Sequence, residues 1–120
     1  MMLFRCTVAL AFLVAGPLVF ACERNEYGVF EDSSCASAAF DDAQKKMNDT
    51  YQQLLAHVRP EARDALRLSQ VAWEKYRHSV ATFTYAQEGD GSAGRLIVMN
   101  DQERAMRART EELVQWLARN

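Results

Sequence analysis

The chain has 120 residues, with 14 basic and 16 acidic side chains. That length suits one domain rather than several. A formal net charge of −2 gives no electrostatic case for binding nucleic acid.

Residues 1–21 do not read as part of the domain. Arg5 is the one charge there, followed by an apolar run from Val8 to Ala15, then Gly16-Pro17 and Leu18-Val19-Phe20-Ala21. Val19 and Ala21 are small enough for the −3 and −1 subsites of a signal peptidase. The pattern predicts a signal peptide cut after Ala21, since the run is short for a membrane span and Gly16-Pro17 interrupts it. A retained N-terminal anchor is the alternative. Residues 22–120 keep 13 of the 14 basic and all 16 acidic side chains, a formal charge of −3.

Cys22 and Cys35 remain in that mature chain. An even pair in a small exported domain reads as a disulfide, which would fasten the N-terminal extension to the start of the first helix. Val19-Phe20-Ala21-Cys22 also loosely resembles a bacterial lipoprotein signal, although Phe20 is bulky for it. A lipid thioether on Cys22 would exclude the disulfide and leave Cys35 odd. Membrane attachment would follow only from that lipid.

Glu23 to Glu31 shows little periodicity, with Tyr27, Val29 and Phe30 able to lie against the domain. Asp32-Ser33-Ser34 offers N-caps for a helix near 35–58. Phe40, Ala43, Met47, Tyr51, Leu54 and Val58 recur at steps of three and four, the mark of an amphipathic helix. Arg59-Pro60 stops it and Pro60 opens the next, near 60–87. The short connection predicts antiparallel neighbours. In the second helix Ala62, Leu66, Ser69, Trp73, Tyr76, Val80 and Phe83 form a coiled-coil-like seam. Glu88 to Gly94, with three glycines, reads as a flexible loop. Leu96, Met99, Met106, Leu113, Trp116 and Leu117 mark a third helix near 96–118, starting after Gly94 or at Asn100, where Glu103 takes the capping-box position. Arg109 lies in its seam and needs a partner or a route to solvent. The expected fold is all-α, an antiparallel three-helix bundle with a disulfide-tethered N-terminal extension. No internal repeat or low-complexity tract is visible.

Catalytic chemistry is not apparent. His57 and His78 sit on different helices without metal-pair spacing, and no phosphate-cradling glycine motif or nucleophile elbow occurs. Arg104, Arg107 and Arg109 interleave with Glu103, Glu111 and Glu112, as in a surface ion-pair lattice. Neither a metal nor another cofactor is expected.

With Cys22 and Cys35, Asp42, Asn48 and Tyr51, Gln70 to Arg77 (Gln70, Trp73, Tyr76 and Arg77), Gly89 to Ser92, and Arg109 before Glu112-Leu113 in view, the chain resembles the LprI-type lysozyme-inhibitor family. The likeness runs from Cys22 to near Leu117. It implies a helical, extracytoplasmic protein, periplasmic or secreted, that inhibits lysozyme. It assigns no inhibitory residue. Family members often carry a cysteine soon after the Tyr-Arg pair and another early in the last helix. Val80 stands at the first position and the last helix has none, so the loop should be freer than in relatives.

Two functions follow as expectations. One is a binding protein that blocks a muramidase, with Glu88, Gly89, Asp90, Gly91 and Ser92 as the partner-binding loop. The other is an envelope interaction module, a secretion-system accessory or an immunity protein. An enzyme would need a placed nucleophile or acid–base pair, which is not seen. Gln70, Trp73, Tyr76 and Arg77, with Asn48, Tyr51 and Arg109, are expected to hold the bundle rather than make the contact.

Overall fold

A computed structural model describes residues 22–119, so the expected signal peptide over residues 1–21 lies outside the described residues. Three helices follow the extension: α1 over Ser33–His57, α2 over Pro60–Glu88 and α3 over Ser92–Arg119. Asp32 is the N-cap of α1. Its Oδ1 accepts from the backbone N–H groups of Ser34 at 2.8 Å and Cys35 at 3.0 Å, filling donors that have no partner within the helix. The chain leaves α1 at Val58 in an extended conformation, and Pro60 takes the first position of α2.

The α2–α3 connection is tighter than its composition implies. Gly89 caps α2 at φ +85°, a conformation that favours glycine, and donates its N–H to the Tyr85 carbonyl at 2.9 Å. α3 begins at Ser92, and the Arg95 N–H donates to the Gly91 carbonyl. The expected seven-residue loop is therefore a three-residue turn. Gly94 sits inside the helix against that turn, where a Cβ would fall 1.8 Å from the Gly89 carbonyl oxygen. Gly94→Ala should force the two helix ends apart and cost about 1–3 kcal/mol, the usual range for overpacking. A thermal melt checks this, and an unchanged midpoint would mean that the turn yields freely.

α3 is the middle element. It packs most extensively against α1, less against α2, while α1 and α2 meet only slightly. Ala43, Met47 and Leu54 of α1 meet Met106 and Leu113 of α3 to form the core. Tyr51 with Phe40 and Val58 of α1, Leu66 and Trp73 of α2, and Leu117 of α3 pack around it. The short α1–α2 connection thus reverses the chain without making those two helices the main partners.

The α2 seam differs from the periodic reading. Leu66, Trp73 and Val80 form a half-buried row, but the neighbouring row that turns inward is Gln70, Arg77 and Thr84. On the other side of it Ser69, Tyr76 and Phe83 face solvent, with Tyr76 68% and Phe83 67% exposed. All three rows repeat every seven residues, so periodicity alone cannot choose between them. The choice follows from α3, which presents Arg109 and Gln102 toward α2. Their polar groups need partners when removed from water, and Gln70 and Arg77 supply them.

Candidate functional site

Two polar clusters and one exposed turn carry the candidate site residues. The first cluster joins α2 to α3. Arg109 donates from Nε to Gln70 Oε1 at 3.1 Å, from Nη2 to Ser69 Oγ at 3.0 Å, and from Nη1 to Glu112 Oε2 at 2.8 Å. Arg77 donates from Nη1 to Gln102 Oε1 at 3.1 Å and from Nη2 to Glu74 Oε2 at 2.8 Å. The Trp73 ring lies near both guanidiniums, 5.7 Å from that of Arg77 and 6.0 Å from that of Arg109. The expected partnership of Gln70 with Arg109 is present. Asn48, expected in the same network, is exposed on α1 beside Gln44 and Lys45. Tyr76 points away from the cluster, while Tyr51 packs against the core.

The second cluster fastens the extension to α3. Cys22 and Cys35 form the disulfide. Closing a loop of that size contributes about 3 kcal/mol in the chain-entropy account. A sulfur bonded this way cannot carry a lipid thioether. Asn100 clamps the Phe30 backbone on both sides: its Oδ1 accepts from the Phe30 N–H at 2.8 Å and its Nδ2 donates to the Phe30 carbonyl at 3.0 Å. Arg24 forms a two-pronged pair with Glu103, Nη2 to Oε1 at 2.7 Å and Nη1 to Oε2 at 3.1 Å, and lies over the Phe30 ring. Arg107 approaches the same carboxylate at 2.7 Å.

The Glu103 side chain is only 3% exposed. Burial pushes its carboxyl up, but the hydrogen bonds from Arg24 and Arg107 outweigh burial and hold it below the usual value. Glu103 is therefore neither a cap nor a surface charge. It occupies the apolar register of α3 in the row Met99, Glu103, Met106, Thr110, Leu113 and Leu117, eleven residues after the helix start at Ser92. The sequence signal was there: an acid in an apolar seam needs a cation, and Arg24 is the one cation in residues 22–31.

The exposed turn closes the α2–α3 hairpin. Glu88, Gly89, Asp90, Gly91 and Ser92 are all solvent-facing. Beyond Arg77 and Asn100 toward the turn, the pair buries only Thr84, Gly94 and Val98 among the described residues. The hairpin end is thus a slim arm with little core. Its tip is held by the Gly94–Gly89 contact and by Arg95, whose Nη1 donates to the Asp90 carbonyl at 2.9 Å. Neither the Asp90 carboxylate nor the Ser92 hydroxyl has a hydrogen-bond or ion-pair partner among the described residues.

Neither polar cluster nor the turn brings a nucleophile together with a base among the described residues. Among the described residues no group of His, Cys, Asp or Glu is placed to hold a metal ion, and no helix is long and apolar enough to cross a membrane. A family model described as "Lysozyme inhibitor LprI" matches residues 22–113, which include the disulfide, both polar clusters and the turn. No curated protein and no solved structure matches.

Proposed function

We propose, from the premise that the chain belongs to the LprI family of lysozyme inhibitors, that it is an exported protein that binds a muramidase and blocks it, with no catalytic step of its own. The observation that carries this reading is the family match across residues 22–113. A Cys22–Cys35 disulfide suits an oxidising compartment outside the cytoplasm, periplasmic or extracellular.

The turn at Glu88 to Ser92 is the contact we favour. It stands at the end of a slim arm, so it can enter a cleft. A turn already held in place loses little conformational freedom on binding. The Glu88 and Asp90 carboxylates would steer the arm toward a basic enzyme, and Ser92 or a turn amide would meet a carboxylate in its cleft. The residue 22–120 chain should lower lysozyme turnover near stoichiometric concentration, and no effect at large excess removes the reading. Asp90→Lys should weaken inhibition by about tenfold at low salt, mainly through slower association. Equal inhibition by this variant would move the contact away from the turn.

A further inference from the structure

The turn is not the only part of the α2–α3 arm left without cover. Tyr76 and Phe83 stand one heptad apart in the outward row of α2 and are 68% and 67% exposed. Neither is among the side chains that form or flank the core. One helical turn to either side of them, α2 carries Ala72, Trp73, Ser79, Val80, Ala86 and Gln87, none of them charged.

A lone exposed aromatic ring is ordinary on a protein surface. Two on one uncharged stripe form a patch that the bundle does not need for its own packing. Protein interfaces use such rings as anchors, because each buries a large apolar area and has only two side-chain torsions to fix.

The position of the patch indicates its occupant. Phe83 lies roughly 9 Å from Gly89 along α2, and Tyr76 roughly 20 Å. The stripe therefore runs into the turn, where Glu88 and Asp90 supply the next charges. A body that received the tip would meet Phe83 next and Tyr76 after it. It would have to be basic around the acids and apolar behind them. A second copy of the chain is the weaker match, because residues 22–120 carry a formal charge of −3 and like-charged copies repel.

We propose that the α2 flank is the second half of the muramidase contact, with Phe83 and Tyr76 as its apolar anchors and the Glu88 to Ser92 turn as its polar tip; this rests on the inhibitor reading above. Tip and flank then have different parts. The carboxylates act at long range and set the speed of association, whereas the rings act only in the docked complex and set its lifetime. The sequence pattern gives Tyr76 to the bundle, but its exposure leaves the ring available for this role.

The test measures inhibition of a basic lysozyme on cell-wall substrate, and binding kinetics on the immobilised enzyme, for the chain from Cys22 to Asn120 and its variants. Phe83→Ala should weaken inhibition about thirtyfold and Tyr76→Ala about tenfold, through faster dissociation and equally at low and high salt. Asp90→Lys, by contrast, should lose its effect as salt rises. Val71→Ala trims an exposed apolar side chain outside the stripe and should change inhibition less than about twofold. Phe83, Tyr76 and Val71 are all exposed, so their alanine variants should melt close to the parent. Equal inhibition by the parent and Phe83→Ala overturns the proposal and leaves the inhibitor reading standing, as does an equal loss in Val71→Ala. A dimer of the parent that Phe83→Ala dissociates, with inhibition unchanged, gives the patch to a second copy instead. A parent that does not inhibit at large excess overturns both the reading and the proposal.

Discussion

Arg24→Ala is expected to destabilise the protein by about 3 kcal/mol, more than Glu103→Leu at the other end of the same pair. The reason is asymmetric burial. The Arg24 side chain is 31% exposed and that of Glu103 3%. Removing the arginine leaves a buried carboxylate held by Arg107 alone, and breaking a buried pair from one side typically costs about 3–5 kcal/mol. Removing the glutamate leaves two arginines that can reach water. Urea unfolding of both variants measures the difference, and the opposite order would mean that the carboxylate is better solvated than the structure has it.

The same pair makes a pH prediction. In the parent protein the folded-state value of Glu103 lies below its ordinary value of 4.5. Its contribution is therefore complete above that ordinary value and is lost as pH falls through the lower folded one. In Arg24→Ala the largest lowering interaction is gone while burial remains, so the carboxyl moves upward and acid no longer costs the variant as much. The stability gap between parent and variant should be wide near pH 7 and narrower near pH 3. An equal gap at both would separate the stability loss from the charge of Glu103.

Trp73→Ala is expected to cost about 3 kcal/mol, and Tyr76→Ala less than about 0.5 kcal/mol. Trp73 packs against the core and lies beside both guanidiniums of the α2–α3 cluster. Its loss removes apolar contacts and admits water to the Gln70–Arg109 and Arg77–Gln102 hydrogen bonds. The ring is half-buried, so the lower end of the range for buried aromatics applies. Tyr76 is three residues away and mostly exposed, with little packing to lose. For a domain of this size, the Trp73 change corresponds to a melting-point fall of roughly 12–24 °C. Similar melting points for the two variants would mean that α2 is rotated so that Tyr76 faces α3.

These cases show where sequence reasoning reached and where it stopped. The three helices were legible because apolar steps of three and four, Asp32 as a cap and Pro60 as an opener are local signals. The Cys22–Cys35 bridge was legible as one of two chemistries. The exact turn was not: glycines at 89, 91 and 94 look alike in sequence, yet Gly89 caps a helix and Gly94 lies within one, against the Gly89 carbonyl. Nor was the Arg24–Glu103 pair, whose members are 79 residues apart.

The sequence alone determined the number of helices, their approximate limits, the polar-and-aromatic motif that marks the family, and which residues could pack. Each depends on neighbours within a turn or two. Only the tertiary structure decided that α3 lies between α1 and α2, that Gln70 and Arg77 turn inward while Tyr76 and Phe83 turn out, and that Glu103 is an anchor for the extension. The physical reason is the same in each case. Helical periodicity marks a stripe wider than one partner can cover. Which edge is buried depends on the polar groups that the opposing helix presents, because those groups must find partners once water is excluded.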